Sequence, residues 1–149
     1  MQPTMGVVEL PYSQHRVGEL RGAVENTFGP KWLDAPSGVN PLQRAWQCSD
    51  PWGCIAVCRV GCDIARLRAR GNVEQDARLD EMVARQIERN WKRAADYLYE
   101  LHVAMLFDEG RGSTGNFALP GAPGYDVSVG LSRGRTVWVS CKRLDLSEQ

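Results

Sequence analysis

Three residues in the C-terminal third of this chain have the types that metal-assisted hydrolysis of a phosphodiester requires. They are Glu100, Asp126 and Lys142. Such hydrolysis needs a divalent cation held by carboxylate oxygens, a group that turns water into hydroxide, and a positive charge facing the charge that develops on the phosphate. Two carboxylates and a lysine meet these needs if the fold brings them together.

The elements predicted around these residues allow such a meeting. Residues 125–131 and 136–142 are rich in β-forming residues and are joined by a short turn at 132–135, which predicts a hairpin. Antiparallel pairing places Asp126, early in the first strand, beside Lys142, at the end of the second. Glu100 falls on the helix before the hairpin, where spacing alone favours an exposed glutamate on a polar face.

The sequence GYDVSV at 124–129, followed by VWVSCKR at 137–143, resembles the core of PD-(D/E)xK nucleases. It is most similar to the Mrr-like restriction endonucleases, in which a helix with a glutamate precedes a glycine-rich loop, an aspartate on a strand and a strand that ends in Gln-x-Lys. The similar region spans about residues 95–143.

Helix signals predict an N-terminal helical region over residues 1–71, packed as one compact unit with the rest of the chain. Together with the resemblance, this gives an expected α+β or α/β fold. Residues 72–149 would form the restriction-endonuclease-like core, a long helix followed by a small mixed β-sheet.

The same resemblance implies a Mg²⁺- or Mn²⁺-dependent DNA endonuclease of a defence system or mobile element. Asp126 would bind the metal, and Glu100 would support it through water. Lys142 would position the attacking water, and Cys141 would lend its backbone carbonyl to the metal.

The chain departs from the family pattern at Ser140, where the family has glutamate or glutamine. A hydroxyl is a poorer Mg²⁺ ligand than a carboxylate, and Asp145 or Glu148 could supply the missing charge. The departure leaves a second hypothesis open, a catalytically inactive nuclease-fold module that binds nucleic acid or a partner protein.

The family core also continues beyond the lysine with a further helix and strand, whereas seven residues follow Lys142 in this sequence. We therefore expect the chain to be a fragment of a longer protein, or its sheet edge to be covered by the N-terminal helices or by a second subunit in a homodimer.

Hydrophobic spacing and helix signals predict the remaining elements. A helix is expected over 14–28, and a second over 51–70 with Asp50 as N-cap and Pro51 at its first position. A single long helix is expected over 72–107, since an apolar stripe runs through it without an internal glycine or proline. Residues 110–124 predict a loop with one short strand at 117–119.

Four of the five cysteines crowd into one region, at Cys48, Cys54, Cys58 and Cys62. A zinc or iron–sulfur site is one interpretation. The spacing does not match the two close pairs typical of zinc sites, and cysteine is also a good small core residue, so helix packing is the favoured interpretation.

Net charge and arginine content bear on nucleic-acid binding. Eighteen basic and eighteen acidic residues cancel, so any affinity for a polyanion must come from local patches. Acidic residues interleave the basic group, which favours an ion-paired helix face over a DNA-contacting one. Trp91, Tyr97 and Tyr99 could stack on bases, although aromatic residues at helical spacing are more often core. The basic group comprises Arg66, Arg68, Arg70, Arg78, Arg85, Arg89, Lys92 and Arg93.

Other functional classes have weaker support. His15 and His102 lie in no recognisable nucleophile motif, and His102 is predicted to face away from Glu100. The glycines at 110–115 lack the Gly-Lys-Ser/Thr ending of a phosphate-binding loop. No signal peptide or membrane span is evident, which predicts a soluble, cytoplasmic protein.

Overall fold

The computed structural model describes residues 11–36, 40–89, 94–108, 112–122 and 124–141. These residues form an α+β fold of six helices and one three-stranded sheet. The helices are α1 (Gln14–Phe28), α2 (Pro30–Leu33), α3 (Pro41–Gln47), α4 (Pro51–Ala69), α5 (Val73–Arg89) and α6 (Ala94–Phe107). The strands are β1 (Thr114–Phe117), β2 (Val127–Gly130) and β3 (Thr136–Val139).

Helix α1 confirms the prediction over 14–28, and α4 confirms the helix that starts at Pro51. The Asp50 carboxylate accepts a hydrogen bond from the amide of Gly53 at 2.7 Å, as an N-cap should. Prolines also start two short helices in the segment before α4, with Pro30 at the head of α2 and Pro41 at the head of α3. Proline has no amide N–H. At the first helical position this loses no hydrogen bond, because an N–H there has no partner within the helix.

The prediction of one continuous helix over 72–107 is wrong, because the structure contains two helices, α5 and α6. The side chain of Arg85 in α5 hydrogen-bonds Tyr97 in α6, whereas a continuous helix would set these residues about 18 Å apart. Both helices bury apolar residues in the same core, Leu79 and Met82 from α5 and Leu101 from α6. A shared core therefore overrides a periodicity that is locally compatible with one long helix.

The sheet is antiparallel throughout, in the order β1-β2-β3, so the mixed sheet expected from the resemblance is wrong for the residues described. The predicted hairpin is confirmed, with Val127 opposite Val139 and Val129 opposite Val137. The first strand lies at Thr114–Phe117, earlier than the strand predicted at 117–119. The chain turns after Ala118, where the amide of Ala122 donates to the carbonyl of Leu119 at 3.1 Å.

One hydrophobic core joins the helices to the sheet. It draws on α1, α4, α5 and α6 and on the inner face of the sheet, where Phe117, Val127 and Val129 are buried. Two glycines allow backbones to approach closely. A Cβ on Gly61 of α4 would lie 2.8 Å from the Leu20 carbonyl carbon in α1, and one on Gly115 of β1 would lie 2.7 Å from that of Ala104 in α6.

The two edges of the sheet differ. Along β1, the buried side chain of Gln75 makes the two backbone hydrogen bonds that a neighbouring strand would make. Its amide donates to the Phe117 carbonyl at 3.2 Å, and its oxygen accepts from the Phe117 amide at 2.7 Å. Arg70 also donates to the Gly115 carbonyl, at 2.6 Å. Strand β3 has no further strand beside it among the residues described, and Trp138 on it is 63% exposed.

Candidate active site

Asp126 lies just before β2, and the hairpin fixes its position. Its amide donates to the Val139 carbonyl at 3.0 Å, and its carbonyl accepts from the Ala118 amide at 2.9 Å. One carboxylate oxygen, Oδ2, accepts hydrogen bonds from the Cys141 amide at 2.7 Å and from the Ser140 hydroxyl at 3.3 Å. The start of the first hairpin strand and the end of the second therefore meet at this carboxylate.

Glu100 approaches the same place from α6. Burial, followed by the negative charges of Asp126 and Asp96, raises the pKa of its carboxyl to about 7. The guanidinium of Arg78, on α5, acts in the opposite direction. Helix α6 thus brings Glu100 near the hairpin. The spacing along the helix had favoured an exposed glutamate over one that faces the sheet.

The end of β3 completes this group. The Cys141 thiol is partly buried against the core, and its pKa is raised to about 11 by burial and by the charges of Asp126 and Glu100. A thiol with such a pKa stays protonated near neutral pH and is a poor nucleophile. Ser140 is exposed and donates to Asp126, so the hydroxyl at the variant position touches the carboxylate that the sequence predicts as the metal ligand.

Of the predicted site residues, Glu100, Asp126, Ser140 and Cys141 come together. Lys142 and the two carboxylates proposed as substitutes, Asp145 and Glu148, lie outside the described residues. We define the candidate site as Glu100, Asp126, Ser140 and Cys141.

Two further residues belong to the surroundings of this site, and the sequence analysis did not select them for it. Asp96 precedes Glu100 by one helical turn, so the two carboxylates share a face of α6. Arg78 is largely buried, pairs with Glu81 at 2.7 Å, and keeps its Nε without a hydrogen-bond partner in the described part of the chain. The spacing of Asp96 and Glu100 was a usable signal, whereas no sequence pattern pairs Arg78 with α6.

The donor set suits a hard divalent cation. Two carboxylates repel one another in a partly buried place, and a bound cation would remove that repulsion. The structure places no three His, Cys, Asp or Glu side chains to share a metal within the ranges that it describes. A metal held by Glu100 and Asp126 would therefore draw its remaining ligands from backbone carbonyls, water or substrate oxygens.

Among the described residues, no three of the four clustered cysteines are placed to share a metal ion. Cys58 is buried in α4, Cys54 and Cys62 are partly buried, and Cys48 is exposed at the end of α3, where its thiol donates to Asp50 at 2.7 Å. Burial, followed by the neighbouring Cys54, raises the pKa of the Cys58 thiol to about 11. Of the four, Cys58 therefore has the core position that the packing interpretation predicts.

His102 points away from the candidate site. Its Nδ1 lies 2.9 Å from a carboxylate oxygen of Asp63 in α4, and Asp63 is buried. Burial raises the pKa of Asp63, and the neighbouring His102 opposes that rise. The pair links α4 to α6, and neither the sequence spacing nor any motif predicted it. The other histidine, His15, contacts Glu19 on the exposed face of α1 at 3.3 Å.

Most of the described arginines that were candidates for DNA contact have structural partners. Arg68 pairs with Asp76 and Asp80, and Arg85 pairs with Glu81. Arg70 ties α4 to β1. These contacts favour the ion-paired interpretation of the helix faces. Tyr97 packs against the core and Tyr99 is 46% exposed, while Trp91, Lys92 and Arg93 lie outside the described residues.

Comparison with protein-family models, with curated proteins and with solved structures found no match to this chain. The nuclease resemblance therefore stays a prediction from the residues that carry it. Within the described ranges, no helix combines the length and the apolar composition that crossing a membrane would require.

The raised pKa of Glu100 predicts a pH-dependent stability. Between its ordinary value of 4.5 and about 7, the folded protein keeps a proton that the unfolded chain has lost, so the free energy of unfolding should fall as pH rises through this window. We expect Glu100→Gln, which cannot ionise, to be more stable than the wild type by about 1–2 kcal/mol at pH 8, after allowance for solvent screening, and equally stable at pH 4.

Urea unfolding at pH 4, 6 and 8 measures this difference. Glu88→Gln, an exposed position on α5, is the matched control and should follow the wild type at every pH. If the free energies of unfolding of Glu100→Gln and the wild type changed with pH in parallel, Glu100 would not be buried beside other negative charges.

Proposed function

We propose that this protein hydrolyses phosphodiester bonds in DNA with a divalent cation, Mg²⁺ or Mn²⁺, as a restriction-endonuclease-like enzyme of a defence system or mobile element. The observation that carries the proposal is that Glu100, half-buried on α6, lies close enough to Asp126 at the start of the hairpin for the two carboxylates to repel one another, and burial followed by this repulsion raises the pKa of Glu100 to about 7. Such an arrangement costs free energy unless a cation or a proton fills it.

Each residue of the proposed site has a distinct part. Asp126 would bind the cation directly, held in place by the Cys141 amide, and Glu100 would bind it through water. Cys141 would offer its backbone carbonyl to the cation. Once cation binding has displaced its proton, the Glu100 carboxylate would also be available to accept a proton from the attacking water. Lys142 would position that water and steady the phosphate. When bound, the cation supplies the Lewis acidity that activates water and offsets charge on the phosphate.

Calorimetric titration with Mg²⁺ and Mn²⁺, together with cleavage assays on plasmid and single-stranded DNA, tests the proposal. With a pKa of about 7, Glu100 is largely protonated at pH 6, so cation binding at that pH should release protons, seen as a dependence of the heat on the ionisation enthalpy of the buffer. Binding with proton release and metal-dependent cleavage are the expected results. Absence of both would exclude the metal-dependent enzyme.

A catalytically inactive module that binds nucleic acid is the second candidate. The observation in its favour is that Ser140 supplies a neutral hydroxyl where the family has a stronger ligand, and that Asp126 already accepts hydrogen bonds from Ser140 and Cys141, the two residues that follow β3. This candidate predicts nucleic-acid binding that is unchanged by EDTA and is accompanied by no cleavage with either metal.

A further inference from the structure

Beside the candidate site lies an aromatic recess. It has a volume of about 480 Å³ and is lined by Gly124, Tyr125, Trp138 and Ser140. Trp138 is 63% exposed, and the ring of Tyr125 is tilted against it at a centroid distance of 6.0 Å. An indole left this exposed on a folded surface gives up the burial that normally stabilises tryptophan, and it presents a flat face to a ligand.

The register of the hairpin connects this recess to the candidate site. Side chains alternate along a strand, so Trp138 and Ser140 project from the same face of the sheet. Trp138 is paired with Ser128 across the hairpin, and two positions further along, the Ser140 hydroxyl donates to Asp126. A group stacked on Trp138 would therefore be adjacent to the carboxylate proposed to hold the cation.

The charged residues near the recess indicate the class of ligand that it would bind. Arg133 and Arg135 lie in the turn between β2 and β3, both are exposed, and neither makes an ion pair with any residue in the described ranges. Five residues along an extended strand separate Ser140 from Arg135 by about 16 Å. A chain that offers flat aromatic groups and regularly spaced negative charges complements this surface, and single-stranded nucleic acid has both.

We propose that Trp138 and Tyr125 form a base-stacking subsite for an unpaired nucleotide of single-stranded DNA, with the phosphate backbone running along β3 towards Arg133 and Arg135. The inference rests on the proposed function, because it takes the strand at the recess to be the substrate. Bases inside a duplex present no free face, so the subsite requires single-stranded or locally opened DNA.

Fluorescence anisotropy with a labelled twelve-nucleotide oligo-dT tests this inference without any cleavage. The parent protein for this measurement carries Asp126→Asn, which removes a negative charge that would repel DNA. EDTA is added to chelate divalent cations and so prevent hydrolysis. We expect Trp138→Ala in this background to weaken single-strand binding about tenfold or more, and Trp138→Phe, which keeps a ring, to weaken it less than about threefold. Trp52→Ala is the matched control, since Trp52 is 71% exposed on α4, and it should change nothing.

Two comparisons separate stacking from charge. An oligonucleotide of the same length and charge but without bases should bind the Trp138→Ala and parent proteins equally. Arg135→Ala should weaken binding to single strands and to duplexes alike and should lower the salt dependence of both. Equal affinity of the Trp138→Ala and parent proteins for oligo-dT would overturn the subsite, as would a change in sedimentation showing that Trp138 instead mediates self-association.

The outcomes also distinguish this inference from the proposed function. Metal-dependent cleavage together with no effect of Trp138→Ala on binding would leave the nuclease standing and remove the stacking subsite. Stacking-dependent binding without cleavage under any metal would support the subsite and exclude the enzyme.

Discussion

Asp126→Asn should reduce metal-dependent DNA cleavage by about 1000-fold or more while leaving the fold intact. The substitution keeps the shape of the side chain and an oxygen that can accept from the Cys141 amide, but it removes the charge proposed to bind the cation. Initial rates on plasmid DNA, at Mg²⁺ concentrations that saturate the wild type, measure the loss. Urea unfolding of the same preparation checks that stability is retained.

Two companion variants sharpen this result. Lys142→Ala should lose cleavage to a similar degree, because the resemblance assigns the water-positioning and phosphate contact to Lys142. Glu25→Gln removes an exposed carboxylate from α1 and should cleave at the wild-type rate. Retention of cleavage in either Asp126→Asn or Lys142→Ala would remove that residue from the active site and with it the nuclease assignment.

Gly115→Ala should destabilise the protein by about 3 kcal/mol, at the upper end of the range for overpacked cores. Gly115 lies where β1 crosses α6, and an added methyl group would overlap the backbone of Ala104, whose carbonyl carbon would be 2.7 Å away. Neither partner is the flexible end of a side chain, so the strand and the helix would have to separate. Chemical denaturation, with the free energy extrapolated to water, gives the measurement.

Gly130→Ala offers a control within the same sheet. Gly130 is paired directly with Thr114 in β1, and a methyl group there would have ordinary contact, with the Thr114 carbonyl oxygen at 3.8 Å. We expect a change within about 0.5 kcal/mol. Equal losses of stability at Gly115 and Gly130 would mean that a general cost of alanine in these strands, and not close packing on α6, sets the value.

Because α6 carries Glu100, the Gly115 variant should also weaken cation binding.

The hairpin was predictable because its signals are local. Alternating β-branched residues on both sides of a short polar turn specify two paired strands, and the pairing brings Asp126 to the end of β3 whatever the rest of the fold does. The approach of Glu100 is a different matter. It depends on how α6 packs on the sheet, and that packing depends on Gly115 and on buried residues far apart in the sequence.

The two largest errors have the same origin. The stripe over 72–107 is compatible with one helix, and only the shared core shows that α5 and α6 fold against each other. The strand at Thr114–Phe117 includes glycine and asparagine, which are poor strand formers, and it is held by pairing with β2 and by the side chain of Gln75. In both cases long-range contacts outweigh local preference.

The sequence by itself determined the starts of α1 and α4, the hairpin, and the types of residue available for chemistry, because caps, turns and alternating strands are encoded by neighbours in the chain. The tertiary structure decided the break between α5 and α6, the position of β1, the meeting of Glu100 with Asp126, the approach of Arg78, and the pairing of His102 with Asp63. These features arise from packing between residues that are distant in sequence, and no local pattern specifies which distant residues will meet.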